Sequence, residues 1–246
     1  MLHGTGGSAR LAIEETRLAD FAARNGFAVA FPDGLPVNPD RPATFLSNPQ
    51  RWNDGSTKPG DKLHSANDDV GFLEAVIRDA SARTGADRVY LTGFSNGAGM
   101  AFRFATERTE WIRAVAPVAG HCWIDDPKPS RTIPTLFLLG DRDPLIPMSD
   151  GLVDLPWFTQ PVHRPGIGHS LRKWAKGLGY GSTPELISES AGVRVEEYGP
   201  AFRSITIPGL GHHWPGGQGL LNPRIGGTPS DLVDANAVIW EFFRQH

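Results

Sequence analysis

The chain has 246 residues, a length suited to one large α/β domain with its own buried core. Lys and Arg together number 24 against 27 Asp and Glu, and the resulting formal charge of −3 excludes the basic surface of a nucleic-acid-binding protein. A single cysteine, Cys122, excludes an intrachain disulfide and a cysteine-based zinc site. No apolar run approaches the roughly 18 to 20 residues that a membrane span needs.

The chain opens on a glycine-rich loop, residues 3–8, that reads as the end of a strand. No charged segment followed by an apolar stretch precedes it, so the sequence predicts no signal peptide. The strand that should lead into the loop is reduced to two residues. We therefore expect the first strands of the sheet to be missing from this chain.

Helical and extended patterns alternate along the rest of the chain. Spacing of apolar residues predicts helices at 12–25, 67–85, 97–108, 170–178 and 230–243. Apolar or alternating runs predict strands at 27–31, 88–92, 114–118, 135–139, 193–198 and 202–207. This order predicts a mostly parallel sheet with helices on both faces, in one domain that covers residues 1–246. Residues 144–190 are rich in proline and are expected to form an insertion that shapes the pocket.

The segment Gly93-Phe94-Ser95-Asn96-Gly97 fits the G-x-S-x-G pattern and lies between a predicted strand and a predicted helix. In that context the pattern is typical of a sharp turn that holds a nucleophilic serine clear of the backbone. Glycines at both ends are expected because a Cβ atom there would collide with the neighbouring strand and helix. Ser95 is therefore the candidate nucleophile.

A serine hydroxyl needs a histidine base, which a carboxylate orients in turn. In folds with this turn the acid and then the histidine follow the serine in chain order, each after a strand. Asp143 is the preferred acid, with Asp141 as its rival in the same loop. His212 is the preferred base, with His213 as its rival, because adjacent side chains usually point apart.

Acyl transfer also needs fixed donors for the negative oxygen of the tetrahedral intermediate. The N–H of Asn96 is one expected donor, and the N–H of Thr5 in the opening loop is the other. His3 is expected to hold that loop in place. No H-E-x-x-H motif, calcium loop or phosphate-binding fingerprint is present, so the sequence predicts no metal site.

Several of these motifs together resemble the polyhydroxybutyrate depolymerase and feruloyl esterase group of α/β-hydrolases, which overlaps family 1 of the carbohydrate esterases. The resemblance extends from residue 3 to the last predicted helix, and its most specific part is the run from Ser95 to Met100. It implies an α/β-hydrolase fold, a Ser95–Asp143–His212 triad, no metal or organic cofactor, and hydrolysis of carboxylic esters. The segments that carry it are 3–8, Trp52-Asn53, 68–72, 88–100, 116–120 and 211–217. Secreted members of the group often have cysteine pairs, which this chain lacks.

The substrate is expected to be a soluble aryl, feruloyl-type or acylated-sugar ester. Trp52 and Trp214 are the candidate substrate-binding residues, because they flank glycine-rich loops near the predicted triad. The alternatives are a polyhydroxyalkanoate depolymerase and a non-catalytic binding protein on the same fold. Neither a nucleic-acid partner nor a membrane span is expected. The pattern leaves open the oligomeric state and the cellular location, although related enzymes are often secreted.

Overall fold

A computed structural model describes residues 1–56 and 67–246 of the chain. The helices are α1 (Ala9–Thr16), α2 (Leu18–Asn25), α3 (Asp69–Thr84), α4 (Asn96–Glu107), α5 (Ile167–Gly177), α6 (Pro223–Gly226) and α7 (Ala235–Arg244), with a 3-10 helix at Thr109–Trp111. The strands are β1 (Tyr90–Phe94), β2 (Ala114–Val118), β3 (Thr135–Gly140), β4 (Gly151–Val153), β5 (Val162–Arg164), β6 (Glu185–Ser190), β7 (Val193–Gly199) and β8 (Phe202–Ile207).

A six-stranded mixed sheet, in the order β1-β2-β3-β8-β7-β6, forms the centre of the fold. Strands β1, β2, β3 and β8 run parallel, and β7 and β6 extend the sheet in the antiparallel sense. Strands β2 and β3 are buried throughout, as expected for parallel strands covered on both faces. The predicted mostly parallel sheet with helices is confirmed. The ends of β1, β3 and β8 come together at one edge, where the loops after them meet.

The start of the chain joins this sheet beside β1. The N–H of Leu2 donates to the Thr92 carbonyl over 2.9 Å, and the N–H of Phe94 donates to the Leu2 carbonyl over 3.0 Å. Leu2 is 1% exposed, so this single bridge lies inside the core. It sets the opening loop directly against the turn that follows β1.

Several local expectations were wrong. The predicted helix at 12–25 is two helices, because Arg17 between them has a φ of +50° that ends the first. Residues 27–31 form no strand of the described sheets. The helix predicted at 67–85 begins at Asp69, and Asp68 caps it by accepting from the Gly71 N–H. The β4–β5 hairpin and the exposed strand β6 were not predicted.

The core is continuous from the opening residues to the last helix. Helix α4 packs on β1 and β2, and nine of its residues are buried. Trp174 of α5 is fully buried, so the segment between β3 and β6 contributes to the core as well as to the surface. Among the described residues, no helix combines the length and the apolar character needed to cross a lipid bilayer.

Candidate active site

Ser95 occupies a strained turn between β1 and α4. Its φ of +57° and ψ of −118° are rare for a residue with a side chain, and its N–H donates to the Val118 carbonyl over 2.9 Å. A Cβ atom at Gly93 would lie 2.2 Å from the Gly97 carbonyl oxygen, and one at Gly97 would lie 2.4 Å from the Leu2 carbonyl oxygen. The two glycines therefore permit the tight packing that the turn requires.

Asp143 and His212 form a buried pair in the loops after β3 and β8. His212 Nδ1 lies 2.7 Å from Asp143 Oδ2, and the two side chains are 3% and 0% exposed. The other oxygen, Asp143 Oδ1, accepts the N–H groups of Leu145 and Ile146, each over 2.8 Å. These bonds fix the carboxylate and hold the imidazole with its Nδ1–H toward Asp143, which leaves Nε2 free to accept a proton.

Ser95 and His212 line the same cavity. The ring of Phe94, which precedes the serine, packs on the His212 ring with 4.7 Å between centroids. Within the described part of the chain, no hydrogen bond joins the Ser95 hydroxyl to His212. Such bonds are often long in ligand-free enzymes and tighten when the substrate binds.

The rival residues have other partners. Asp141 is exposed, and its Oδ1 accepts the Gly209 N–H over 2.7 Å, the bond of a turn residue. His213 Nε2 lies 3.1 Å from the Gly227 carbonyl oxygen, to which it can donate. Neither side chain takes part in the hydrogen bond that joins Asp143 to His212.

The backbone N–H groups of Thr5 and Asn96 are the candidate oxyanion donors. Two cavities reach Ser95, a larger one and a smaller one. Thr5 and Ser95 line both of them, and Asn96 lines the smaller one. Neither N–H has a hydrogen-bond partner in residues 1–56 and 67–246. The N–H of Asn96 also lies at the N-terminus of α4, where the helix dipole favours negative charge.

Side chains beneath the site hold these donors in place. Asn96 Oδ1 accepts the Trp52 N–H over 2.7 Å, and Asn96 Nδ2 donates to Asp54 Oδ2 over 2.7 Å. His3 Nδ1 donates to the Gly4 carbonyl over 2.8 Å, and its Nε2 accepts the Gly34 N–H over 2.9 Å. Burial lowers the pKa of His3, so the ring is neutral and ties the opening loop to the core.

The two candidate tryptophans lie in different places. Trp52 is fully buried, and its Nε1–H donates to the His3 carbonyl over 2.9 Å. Its ring lines neither cavity at Ser95, and a substrate contact of Trp52 stays a prediction from the sequence. Trp214 is 1% exposed but lies in the wall of the larger cavity, with its Nε1–H donating to Asn236 Oδ1 over 3.1 Å.

The larger cavity has a volume of about 390 Å³ and a mainly apolar wall. Leu145 and Trp157, from the loop region after β3, belong to that wall, and so does Phe45 from the loop before α3. Trp157 Nε1–H donates to the Phe45 carbonyl over 2.7 Å and joins these two loops across the cavity. Sequence reasoning missed these wall residues, because isolated apolar residues in irregular loops carry no periodic signal. No group of three or more acidic, His or Cys side chains suited to a metal was found among the described residues.

Comparison with known proteins identifies the family. The sequence pattern of the family described as Esterase PHB depolymerase matches residues 1–130, more than half of the chain. The chain is also 32% identical to a protein of Nocardia uniformis subsp. tsuyamanensis named "Putative esterase NocK", over 97% of this chain and 72% of that protein. This chain belongs to the PHB depolymerase family of esterases. The family description and the name of this relative support ester hydrolysis, and the chain is accordingly a carboxylic ester hydrolase.

Solved structures show the same fold at low sequence identity. Esterase PE8 aligns with a TM-score of 0.57 and 20% identity over 99% of this chain and 89% of its own. The acetyl xylan esterase from Aspergillus awamori aligns with a TM-score of 0.54 and 15% identity over 86% of this chain and 82% of its own. Arabidopsis thaliana SOBER1 aligns with a TM-score of 0.54 and 14% identity over 99% of this chain and 95% of its own. The chain therefore has the predicted α/β-hydrolase fold.

Proposed function

We propose that this esterase is a serine hydrolase that works through an acyl-enzyme. Ser95 Oγ attacks the ester carbonyl carbon while its proton passes to His212 Nε2. The carbon–oxygen bond to the alcohol then breaks, and His212 returns the proton to the departing oxygen. A water molecule repeats the sequence on the acyl-enzyme, with His212 as base, and releases the acid and free Ser95.

Asp143 orients the imidazole and stabilises its positive charge during both steps. The backbone N–H groups of Thr5 and Asn96 stabilise the oxyanion. The observation that carries this proposal is the buried hydrogen bond between His212 Nδ1 and Asp143 Oδ2, with His212 and Ser95 on the wall of one cavity. A buried carboxylate held against an imidazole has little value for stability alone, so a role in proton transfer explains the pair better.

The substrate that this cavity supports best is a soluble ester with one aromatic or aliphatic part. A volume of about 390 Å³ lies at the lower end of small-molecule sites and suits a group of modest size. The apolar wall favours a ring or a short chain, and Trp214 and Trp157 supply aromatic surface. Feruloyl-type and acylated-sugar esters remain predictions from the sequence.

The test is hydrolysis of p-nitrophenyl butyrate by the purified protein. Ser95→Ala should lower kcat by about 10⁴-fold or more, because the nucleophile is lost. Ser188→Ala, on the exposed strand β6, is the matched control and should keep the wild-type rate. Activity in Ser95→Ala close to that of the control would overturn the serine mechanism.

A further inference from the structure

A second, smaller cavity also reaches Ser95. Its volume is about 40 Å³, room for about three water-sized groups. Thr5, Ser95, Leu145 and Trp157 line both cavities, so the two meet at the nucleophile. The smaller one differs in chemistry, because polar side chains form much of its wall: Asp54, Ser56, His121 and Arg164.

Arg164 is the cation of this cavity. It ends β5, and its guanidinium lies 5.2 Å from the ring centroid of Trp123 in a cation–π contact. Among the described residues, no carboxylate lies within ion-pair distance of it, and no hydrogen bond uses its five donors. Desolvation lowers the pKa of Arg164 from its ordinary value, yet an arginine stays charged under all ordinary conditions. A half-buried cation with no ion-pair partner among the described residues, set beside the nucleophile, gains when an anionic ligand pairs with it.

His121 supplies a second unused polar atom on the same wall. The residue is 1% exposed, and its Nε2 atom is buried without a hydrogen-bond partner. Its Nδ1 atom lies 3.0 Å from Ser170 Oγ. If Ser170 donates to Nδ1, the Nε2–H is available to donate to a ligand in the cavity.

Asp54 lies in the same wall, but its oxygens are already engaged. Oδ2 accepts Asn96 Nδ2 over 2.7 Å, and Oδ1 accepts the Ser56 hydroxyl over 2.5 Å and the Ser56 N–H over 3.1 Å. These donors satisfy much of the Asp54 charge inside the protein. The unpaired donors of Arg164 and His121 are therefore the main polar feature of the described wall of this cavity.

The chemistry of the proposed reaction decides which part of the substrate enters each cavity. His212 must protonate the departing alcohol oxygen, so the alcohol part has to lie on the His212 side. His212 lines the larger, apolar cavity and not the smaller one. The acyl part therefore points toward Arg164 and His121.

We propose that the smaller cavity is an acyl subsite for a short chain that ends in a carboxylate. The Arg164 guanidinium would bind that carboxylate through two hydrogen bonds, and His121 Nε2 would donate a third. The cavity volume suits the three heavy atoms of a terminal carboxylate, with the methylene carbons of a small dicarboxylic half-ester in the space beside Ser95 where the two cavities meet. This proposal deepens the serine esterase function above and depends on it.

Three benzyl esters with acyl groups of matched shape test the subsite. Benzyl succinate carries a terminal carboxylate, benzyl 4-oxopentanoate a neutral carbonyl acceptor, and benzyl 4-methylpentanoate an apolar end. The wild-type kcat/KM should be highest for the succinate and lowest for the 4-methylpentanoate. A kcat/KM for the 4-oxopentanoate ester that equals or exceeds the value for the succinate ester would overturn the anionic subsite in favour of a neutral one.

Arg164→Met should lower the ratio of kcat/KM for succinate over 4-methylpentanoate by about 10- to 100-fold, because the charged partner is lost. Arg164→Lys keeps the charge and should restore part of the ratio. Recovery in this variant would show that the loss in Arg164→Met does not come from misfolding. Arg172→Met, an exposed arginine of α5, is the matched control and should leave the ratio unchanged. A ratio that Arg164→Met does not change would contradict the subsite alone, whereas no turnover of any ester by wild type would contradict the proposed function.

Discussion

The side chain of Asn96 donates to Asp54 Oδ2 over 2.7 Å in a buried contact next to Ser95. Asn96 also accepts the Trp52 N–H and donates to the Trp52 carbonyl over 3.0 Å, so its amide is fixed on both ends. The proposed oxyanion donor is the backbone N–H of this same residue. Asp54 therefore supports the turn at Ser95 through the Asn96 side chain.

Removal of that support should reduce kcat. Asp54→Ala leaves Asn96 Nδ2 without its partner, and we expect kcat for p-nitrophenyl butyrate to fall about 10- to 100-fold while KM changes much less. Asp54→Asn keeps an acceptor oxygen and should recover part of the loss. A rise in KM at unchanged kcat would instead assign Asp54 to substrate binding only.

The acid of the proposed triad can be distinguished from its neighbour. Asp143→Asn should lower kcat by about 10⁴-fold, because the amide cannot hold His212 with its proton on Nδ1 as the carboxylate does. Asp141→Asn is the control, since Asp141 only accepts the Gly209 N–H. Steady-state kinetics on both variants checks this, and equal losses would contradict the assignment of Asp143.

Because the turn at Ser95 is tight, one added methyl group should strongly reduce the stability of the protein. Gly97→Ala would place a Cβ atom 2.4 Å from the Leu2 carbonyl oxygen, so the strand or the helix must shift. We expect the free energy of unfolding in urea to fall by about 3 kcal/mol. Gly151→Ala, where a Cβ meets open space, should stay within about 0.5 kcal/mol of wild type. Equal stability of both variants would refute the close approach at Gly97.

Stability should also depend on pH through His121. Burial lowers the pKa of this ring from 6.5 to about 3, so the folded protein binds no proton there until the pH is very low. The unfolded chain takes that proton below its ordinary pKa, and stability is therefore lost as the pH falls from about 6.5 toward 3. The lowered pKa of His3 acts in the same direction.

Urea unfolding at pH 4 to 7 measures this contribution. His121→Gln should reduce the slope of unfolding free energy against pH by as much as about 1.4 kcal/mol per pH unit below pH 5.5. His163→Gln, on exposed β5, is the control and should keep the wild-type slope. A slope in His121→Gln equal to wild type would show that His121 takes up its proton in the folded state.

Much of the candidate active site was predictable, because its loops follow the ends of strands. Apolar runs that are visible in the sequence precede the turn at Ser95. Similar runs precede the loops after β3 and β8, which carry Asp143 and His212. Those runs are central parallel strands, where burial on both faces makes the signal strong. The choice of Asp143 over Asp141 remains a prediction for the kinetics above to test.

The sequence was less informative where tertiary contacts override local pattern. Residues 27–31 are apolar enough for a strand, yet they pair with none of the described strands. Strand β6 is exposed along its whole length, so no alternation of apolar residues marks it. Arg164 lies on a three-residue strand in a proline-rich segment, and nothing in its neighbourhood indicates that it reaches the wall beside Ser95.

Activation of the Ser95 hydroxyl by His212 is the central claim, and covalent labelling by a p-nitrophenyl phosphonate tests it most directly. Intact mass and peptide mapping should find one phosphonyl group, on Ser95, in the wild-type protein. His212→Ala should slow that labelling by about 10³-fold or more, because the base is gone, while His163→Ala should label at the wild-type rate. Labelling elsewhere, or a His212→Ala variant that reacts as fast as wild type, would contradict the account.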